Sequence, residues 1–396
     1  MILDPSNRKR IFAVLAALIV VGATAPPGNA AAGSPNATSG SSPIVSVLKF
    51  GAKCNGTTDD TTAIRAAAAA VPESGAALSF PKGKCAIHGT IYVKSHTHVQ
   101  GDGSTLLAAV PWTPDHAAGY ALLENVHHDP GGVRDADISV NGMTFDYGDF
   151  GPVAVPGGGK HAVRFDFADD ISVTNNVFYV RGAEDAVAGL GVANMLVRGN
   201  SAFEFRNCAY DFWYGPSNVR VIGNSAQTTT SVQMMNFNPD RTAGEGAGIV
   251  AKGLVLSGNT FEATGSKAIP IQIEPLGPQA SVRGVAVSDN KLRNVFLVLR
   301  GDVKDATIRG NTISDVEGGD SVFETYPFRG GTPESIKFSD NVIVEPHTRP
   351  GEMGVVRMEA KNSEVTGNSI TGSKYHSSAI YHGSFGGIEK TNNVHP

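Results

Sequence analysis

The chain has little cysteine, little aromatic surface and little charge: three cysteines, 7% aromatic and 17% charged residues in 396. Three cysteines are too few for the disulfide framework that holds small secreted domains together. No Cys/His spacing matches a zinc site, and the pair His127-His128 has no partner at ligand spacing. A net charge of −5 supplies no positive field, which argues against nucleic acid or an anionic membrane as a partner. Between turn residues there is no room for a helix of ~10 residues per repeat, which argues against βαβ and leucine-rich units. The glycine-rich stretch 155–160 is followed by no helix bearing Lys-Ser/Thr. It is therefore not a phosphate loop, and reads as a flap or a long turn.

Long apolar runs are confined to the N-terminus. Arg8-Lys9-Arg10 precedes an apolar stretch at 11–21, prolines follow at 26–27, and small residues at 28–30. That order reads as an export signal over residues 1–30, its apolar core too short for a membrane span of ~20 residues. Residues 31–43, rich in Ser, Gly, Ala and Pro, read as a flexible linker, leaving 44–396 as one domain. The expected location is secreted or periplasmic, with no membrane contact once the signal is removed. In an oxidising compartment Cys54 and Cys85, both in loops near the start of the fold, are expected to pair as a disulfide. Cys208 lies in a strand-like run and reads as a small core residue.

What the sequence does have is repetition. Nine segments end in asparagine after an apolar residue and one or two polar or glycine positions, at Asn176, Asn200, Asn224, Asn259, Asn290, Asn311, Asn341, Asn368 and Asn393. The steps between them are 24, 24, 35, 31, 21, 30, 27 and 25 residues. A period in the twenties, stretched by insertions, marks a stacked solenoid. Roughly three runs of β-branched and aromatic residues fill each step, bounded by Gly, Asn and Asp, which fits one coil of a parallel β-helix. About ten coils at ~4.8 Å each give a rod of about 45–50 Å. The asparagine suits the turn because it tolerates the left-handed region, and its amide can donate to the next coil and accept from the previous one.

An open solenoid end must be covered. Residues 44–103 predict that cap: a strand at 45–50, Asp59-Asp60 capping a helix over 61–71 that Pro72 stops, then strands at 76–80, 85–93 and 98–99. The runs Phe50-Gly-Ala-Lys-Cys-Asn-Gly-Thr-Thr-Asp-Asp-Thr-Thr-Ala-Ile64, Phe80-Pro-Lys-Gly83 and Val99-Gln-Gly-Asp-Gly103 resemble the opening of the pectate-lyase-like superfamily. It holds polygalacturonase-type glycoside hydrolases, polysaccharide lyases, alginate epimerases and tail-spike domains. The resemblance implies an all-β, single-stranded, right-handed parallel β-helix with an N-terminal capping α-helix and a polysaccharide partner.

In such a solenoid one exposed sheet carries the substrate. Aligned by their distance ahead of the next asparagine, its strands are 161–167, 184–190, 208–214, 232–238, 269–274, 295–300, 322–326, 355–359 and 379–382. Polar residues are concentrated early, at His161, Arg164, Asp166, Glu184, Asp185 and Asp211, with Trp213 and Tyr214 beside them. Carboxylates ~5 Å apart repel, so one keeps its proton near neutral pH. A protonated acid beside an ionised base is what glycosidic cleavage needs.

The segment 166–188 resembles the core of polygalacturonase-type hydrolases, where an Asn-Thr-Asp strand is followed about one coil later by Gly-Asp-Asp. On that resemblance Asp166 falls at the first aspartate, and Glu184 and Asp185 at the pair. The family's Gly-His-Gly is Cys208-Ala-Tyr210 here. The expected catalytic set is Asp166, Glu184 and Asp185, with Asp185 as general acid. His161, Arg164, Asp211, Trp213, Tyr214 and Arg300 are expected to contact substrate.

A second cluster, Arg300, Glu324, Arg357 and Glu359 with Tyr326 and His382, would suit β-elimination from a uronate if its arginines are free, or a salt-bridge ladder if they are not. Two other functions therefore stay open: a lyase or C5-epimerase on a uronate polymer, and a non-catalytic carbohydrate-binding or adhesive β-helix. No cofactor or metal is expected, except calcium in the lyase case.

Overall fold

The computed structural model describes residues 43–113, 121–153, 159–240, 248–277, 279–318, 321–347, 355–372, 380–382 and 389–391. The export segment, nearly all of the linker, Asn393 and most of loop 155–160 lie outside the described residues.

The chain winds as a right-handed parallel β-helix. Eleven short strands stack in parallel on one face, and the remaining strands form a second sheet system of twenty-three. A typical coil contributes Asp169–Thr174, Val177–Tyr179 and Asp185–Leu190. The first pairs with Leu196–Arg198, the second with Ser201–Phe203 and the third with Tyr210–Trp213, all parallel. Three short strands per turn suit this sequence because, from residue 161 on, its strands are only three to eight residues long before a turn interrupts them. The interior is filled by stacking like on like. Leu123, Val163, Val187, Tyr210, Met235, Ile271 and Leu297 are fully buried and each is the cross-strand partner of the next.

The asparagines form an unbroken ladder from residue 176 to 368. Each of the eight is at most 2% exposed. Asn224 shows the pattern: its N–H and Nδ2 both donate to Asn259 Oδ1 at 2.9 and 3.0 Å, and Nδ2 also donates to the Val197 carbonyl at 3.0 Å. One side chain thus pairs a buried backbone donor on one coil and a carbonyl on another. The left-handed residue is the one before each ladder asparagine, not the asparagine itself: Asn175, Gly199, Gly223, Gly258, Asp289, Gly310, Asp340 and Gly367 all have φ between 54° and 67°. That explains why Gly, Asn or Asp precedes every ladder asparagine, since those types occupy this region at least cost.

At the N-terminal end the helix Thr61–Ala69 lays Ile64, Ala67 and Ala68 on the first coils. Asp59 Oδ1 accepts the Thr61 N–H at 2.9 Å, while Asp60 accepts the Lys53 and Cys54 N–H groups at 2.6 and 2.9 Å. Both acids tie the cap together. Cys54 and Cys85 are joined in a disulfide, and Cys208 is a buried free thiol. The strand expected over 45–50 is shorter than predicted. It covers Ile44–Ser46 and gives way to a 3-10 turn, Val47–Phe50, closed by Gly51 at φ 101°.

Replacing Asn259 by alanine leaves two donors on Asn224 and the Val221 carbonyl unpaired in the interior. Urea unfolding is expected to show a loss of about 3 kcal/mol, against about 0.5 kcal/mol or less for the exposed Arg198→Ala.

Candidate active site

The eleven-stranded sheet lines up one outward residue per strand. Its cross-strand partners run Tyr92, Glu124, Arg164, Ala188, Asp211, Asn236, Gln272, Val298, Glu324, Arg357 and Tyr381. A second set of functional side chains comes from a break in the strand alternation. Ala162, Ala186 and Ala209 pack in the core beside Val163, Val187 and Tyr210, so these strands open with two successive inward residues. His161 and Asp185, one position earlier, escape the inward parity and line the same cleft as Arg164 and Asp211.

That cleft encloses about 300 Å³. Its walls are His161, Arg164, Glu184, Asp185, Asp211 and Trp213, the amides of Asn207, Gln233, Asn236, Asn238 and Gln272, and the acids Asp240 and Glu274 from later coils. The Lys160 carbonyl accepts the N–H groups of Glu184 and Asp185 at 2.9 and 3.1 Å. The Lys160 ammonium is itself capped by the carbonyls of Phe150, Gly151 and Val153, and burial lowers its pKa to about 8. Next to it, a Cβ on Gly159 would come within 2.5 Å of Glu184 Oε2 and 2.7 Å of His161 Nε2. Only glycine lets the rim approach so closely.

Asp185 sits at the centre, fully buried. Its Oδ1 accepts the Cys208 N–H at 2.8 Å and Asn207 Nδ2 at 3.0 Å, and Oδ2 lies 2.7 Å from His161 Nδ1. Burial lifts this carboxyl to about 8, opposed by the Cys208 N–H and reinforced by the charge of Glu184. Burial holds the His161 imidazole down at about 4, with Arg164 pushing the same way. At neutral pH the pair is a protonated carboxyl beside a neutral imidazole.

Asp211 enters from the next coil and accepts Asn236 Nδ2 at 3.0 Å. Burial first, and then the charge of Asp185, push it well above the ordinary carboxylate range. Asp185, Cys208 and Asp211 each bring a polar atom within 4.8 Å of the others, as do His161, Glu184 and Asp185. Glu184 is the open member of the group, its side chain 29% exposed and 3.4 Å from Arg206. Trp213 Nε1, Asn236 Oδ1 and Asp240 Oδ2 are buried on the cleft wall with no hydrogen-bond partner among the described residues. Native interiors rarely leave such groups unpaired unless a site needs them.

Of the residues expected from sequence, His161, Arg164, Glu184, Asp185, Asp211 and Trp213 converge on this cleft. Asp166 does not. Its oxygens are clamped by Arg164 Nε at 2.8 and 3.0 Å, and its cross-strand partner is Leu190, whereas the residue opposite Asp185 is His161. The expected placement of Asp166 in line with Glu184 and Asp185 is therefore corrected: it stands five residues beyond that row. Tyr214 packs edge-on against Phe167, with centroids 5.4 Å apart, and is not a wall of the cleft. Arg300 lines a neighbouring hollow of about 360 Å³ that shares Gln272. There it pairs with Glu274 and donates to Tyr326 Oη at 2.9 Å. Arg357 is taken by Glu359 at 2.6 Å and lies over the Tyr326 ring, so the later cluster is a salt-bridge ladder.

The sequence reading missed Glu124, a fully buried acid 3.7 Å from Arg164 that burial lifts to about 7, opposed by Arg164 and reinforced by Asp166. Its strand, Leu123–Asn125, comes one strand before His161–Asp166 on this sheet, and none of the nine repeat asparagines falls between the two to set its register. Asn236 and Gln272 were also missed, although they share the offset of Asp211 on the aligned strands. For a metal, His161, Glu184 and Asp185 offer a nitrogen and two carboxylates. Calcium takes six to eight oxygens, so this set does not match the ion that a lyase reading would call for.

The Asp185 shift carries a stability consequence. Between about pH 4 and pH 8 the unfolded chain ionises this acid while the folded chain keeps it protonated, so stability falls as pH rises, by up to about 1.4 kcal/mol per unit from this group. Thermal unfolding of the wild type is expected to show that decline between pH 5 and pH 8, and Asp185→Asn is expected to flatten it.

A model of the family described as rhamnogalacturonase A/epimerase, pectate lyase-like, matches residues 44–266. No curated protein matches the chain. Among solved structures, the family 28 exopolygalacturonase of Yersinia enterocolitica superposes with a TM-score of 0.62 at 15% identity, over 90% of this chain and 76% of that one. The hyperthermoactive exopolygalacturonase of Thermotoga maritima gives 0.58 at 12% identity, over 89% and 91%. The DFA-IIIase of Arthrobacter chlorophenolicus A6, in complex with GF2, gives 0.60 at 13% identity, over 89% and 93%. At such identities the superpositions establish the β-helix, and the family match adds that the chain belongs to the rhamnogalacturonase A/epimerase family of pectate-lyase-like proteins.

Proposed function

We propose that the protein hydrolyses glycosidic bonds of a polysaccharide, with Asp185 as the general acid. The observation that carries this reading is a fully buried carboxyl, held protonated at neutral pH, within 4.8 Å of a second acid in a cleft open to solvent. Asp185 gives its proton to the glycosidic oxygen as the bond to the anomeric carbon breaks. Glu184, whose carboxylate lies within 4.8 Å of Asp185, the short separation of a double displacement, attacks that carbon, and water then releases the sugar from the glycosyl ester as it gives its proton back to Asp185. Asp211 and Arg164 hold the sugar from the adjoining strands, with Trp213 as its apolar wall. Asp166 acts on the site through Arg164, which it fixes in place.

Two observations favour hydrolysis over elimination from a uronate. Elimination needs a guanidinium free to grip the uronate carboxylate, and Arg300 and Arg357 are engaged by Glu274 and Glu359. The donor set around Asp185 is also a poor match for calcium. The Cys54–Cys85 disulfide supports export by segment 1–30, because such bonds persist in oxidising compartments. No helix among the described residues is long and apolar enough to cross a membrane.

Incubation with a panel of plant and microbial polysaccharides is expected to release reducing ends without ultraviolet-absorbing unsaturated products. Asp185→Asn should lower kcat by about 10²–10⁴-fold. The rate should fall as pH rises through about 8, where Asp185 loses its proton. Equal inactivity of the wild type and Asp185→Asn across the panel would remove the hydrolytic reading.

A further inference from the structure

The polar inventory of the cleft says more than that a sugar binds there. Five carboxyl groups line it, from Glu184, Asp185, Asp211, Asp240 and Glu274, and among the described residues Arg164 is the single cation on its walls. That guanidinium is already gripped through Nε by both oxygens of Asp166, with Glu124 Oε1 3.7 Å from the same nitrogen. Its charge is spent within the protein. Among the described residues, Arg206 faces Glu184 and Arg300 faces Glu274, and the Lys160 ammonium is held by backbone carbonyls.

The unpaired atoms point the same way. Asn236 Oδ1 and Asp240 Oδ2 are buried acceptors on the cleft wall, and Trp213 Nε1 is a buried donor. A sugar hydroxyl both donates and accepts, and two or three hydroxyls of one ring can together satisfy all three. An ionised carboxylate only accepts. Set against Asn236 Oδ1 or Asp240 Oδ2 it would leave both acceptors unpaired.

We infer that this cleft recognises an uncharged sugar residue, a polyhydroxyl ring without a carboxylate, and excludes uronates from the position between Asp185 and Glu274. The inference rests on the reading of the cleft as a carbohydrate site and sharpens it by naming the substrate class. The amides of Asn207, Asn236 and Gln272 read the hydroxyls, and selection against charged sugars comes from the lack, among the described residues, of an uncommitted cation on the walls to receive a carboxylate.

The test uses the full chain and separates charge from ring shape. Binding by calorimetry and initial rates are measured with galacturonan oligosaccharides, their methyl esters and their carboxyl-reduced counterparts. A neutral set, comprising a fructan, an arabinan and a xylan, is run beside polymannuronate. At least one uncharged glycan is expected to bind or turn over about tenfold better than either polyuronate, and carboxyl reduction should improve binding by a similar factor. Preference for a polyuronate over its reduced form would overturn the substrate class while leaving hydrolysis intact. Binding of a neutral glycan without bond cleavage would keep the class and remove hydrolysis. Failure of every glycan to bind would overturn both.

Discussion

Stacked amides hold the molecule in register. Eight asparagines, each bonded to the next through one carbonyl oxygen that accepts twice, fix the position of every coil from residue 176 to 368. Parallel β-coils of three to eight residues per strand have little else to prevent slippage, and a slip by one residue sends every side chain to the opposite face. Because each ladder asparagine is buried, a missed partner costs the desolvation of a polar group with no return, and the ladder tolerates almost no variation. The cleft on the other face depends on this register. Arg164, Asp211, Asn236 and Gln272 share one stripe only because the ladder keeps their strands aligned.

A stack of this kind also accounts for the chemistry of the cleft. Inter-strand spacing forces neighbouring polar residues to within about 5 Å, closer than independent loops would bring them. Around Asp185 that spacing puts His161 on one side and Asp211 on the other, both largely removed from water. Desolvation then decides protonation: carboxyls rise and the imidazole falls. The unpaired Trp213 Nε1, Asn236 Oδ1 and Asp240 Oδ2 line the same cleft.

Much of the architecture was legible in the chain. The asparagine spacing located the strands of the exposed sheet to within a few residues, and 295–300 coincided with Val295–Arg300. Composition and turn residues identified the cap and its helix. The site was legible in part. Glu184, Asp185 and Asp211 stood out because acids on stacked strands must meet, and they do. Asp166 was misplaced because its alignment followed a motif from another protein, whereas the coil pairs His161 with Asp185. Glu124 went unseen because none of the repeat asparagines falls between its strand and His161–Asp166 to supply the register.

The sequence alone determined the fold class, since an asparagine after a Gly, Asn or Asp every twenty to thirty-five residues has few physical solutions besides a stacked coil. It also determined which strands would lie side by side, because ladder spacing is a local property that counting recovers. The tertiary structure decided which polar side chains are free. Arg164 and Asp166 look equally available in the chain, yet they neutralise each other, and Arg300 and Arg357 are likewise spoken for. Pairing of this kind depends on distances of about 3 Å between groups whose directions turn on single-residue breaks in alternation, such as those at Ala162 and Ala186. No count along the chain encodes those breaks, and they settle which polar side chains line the cleft.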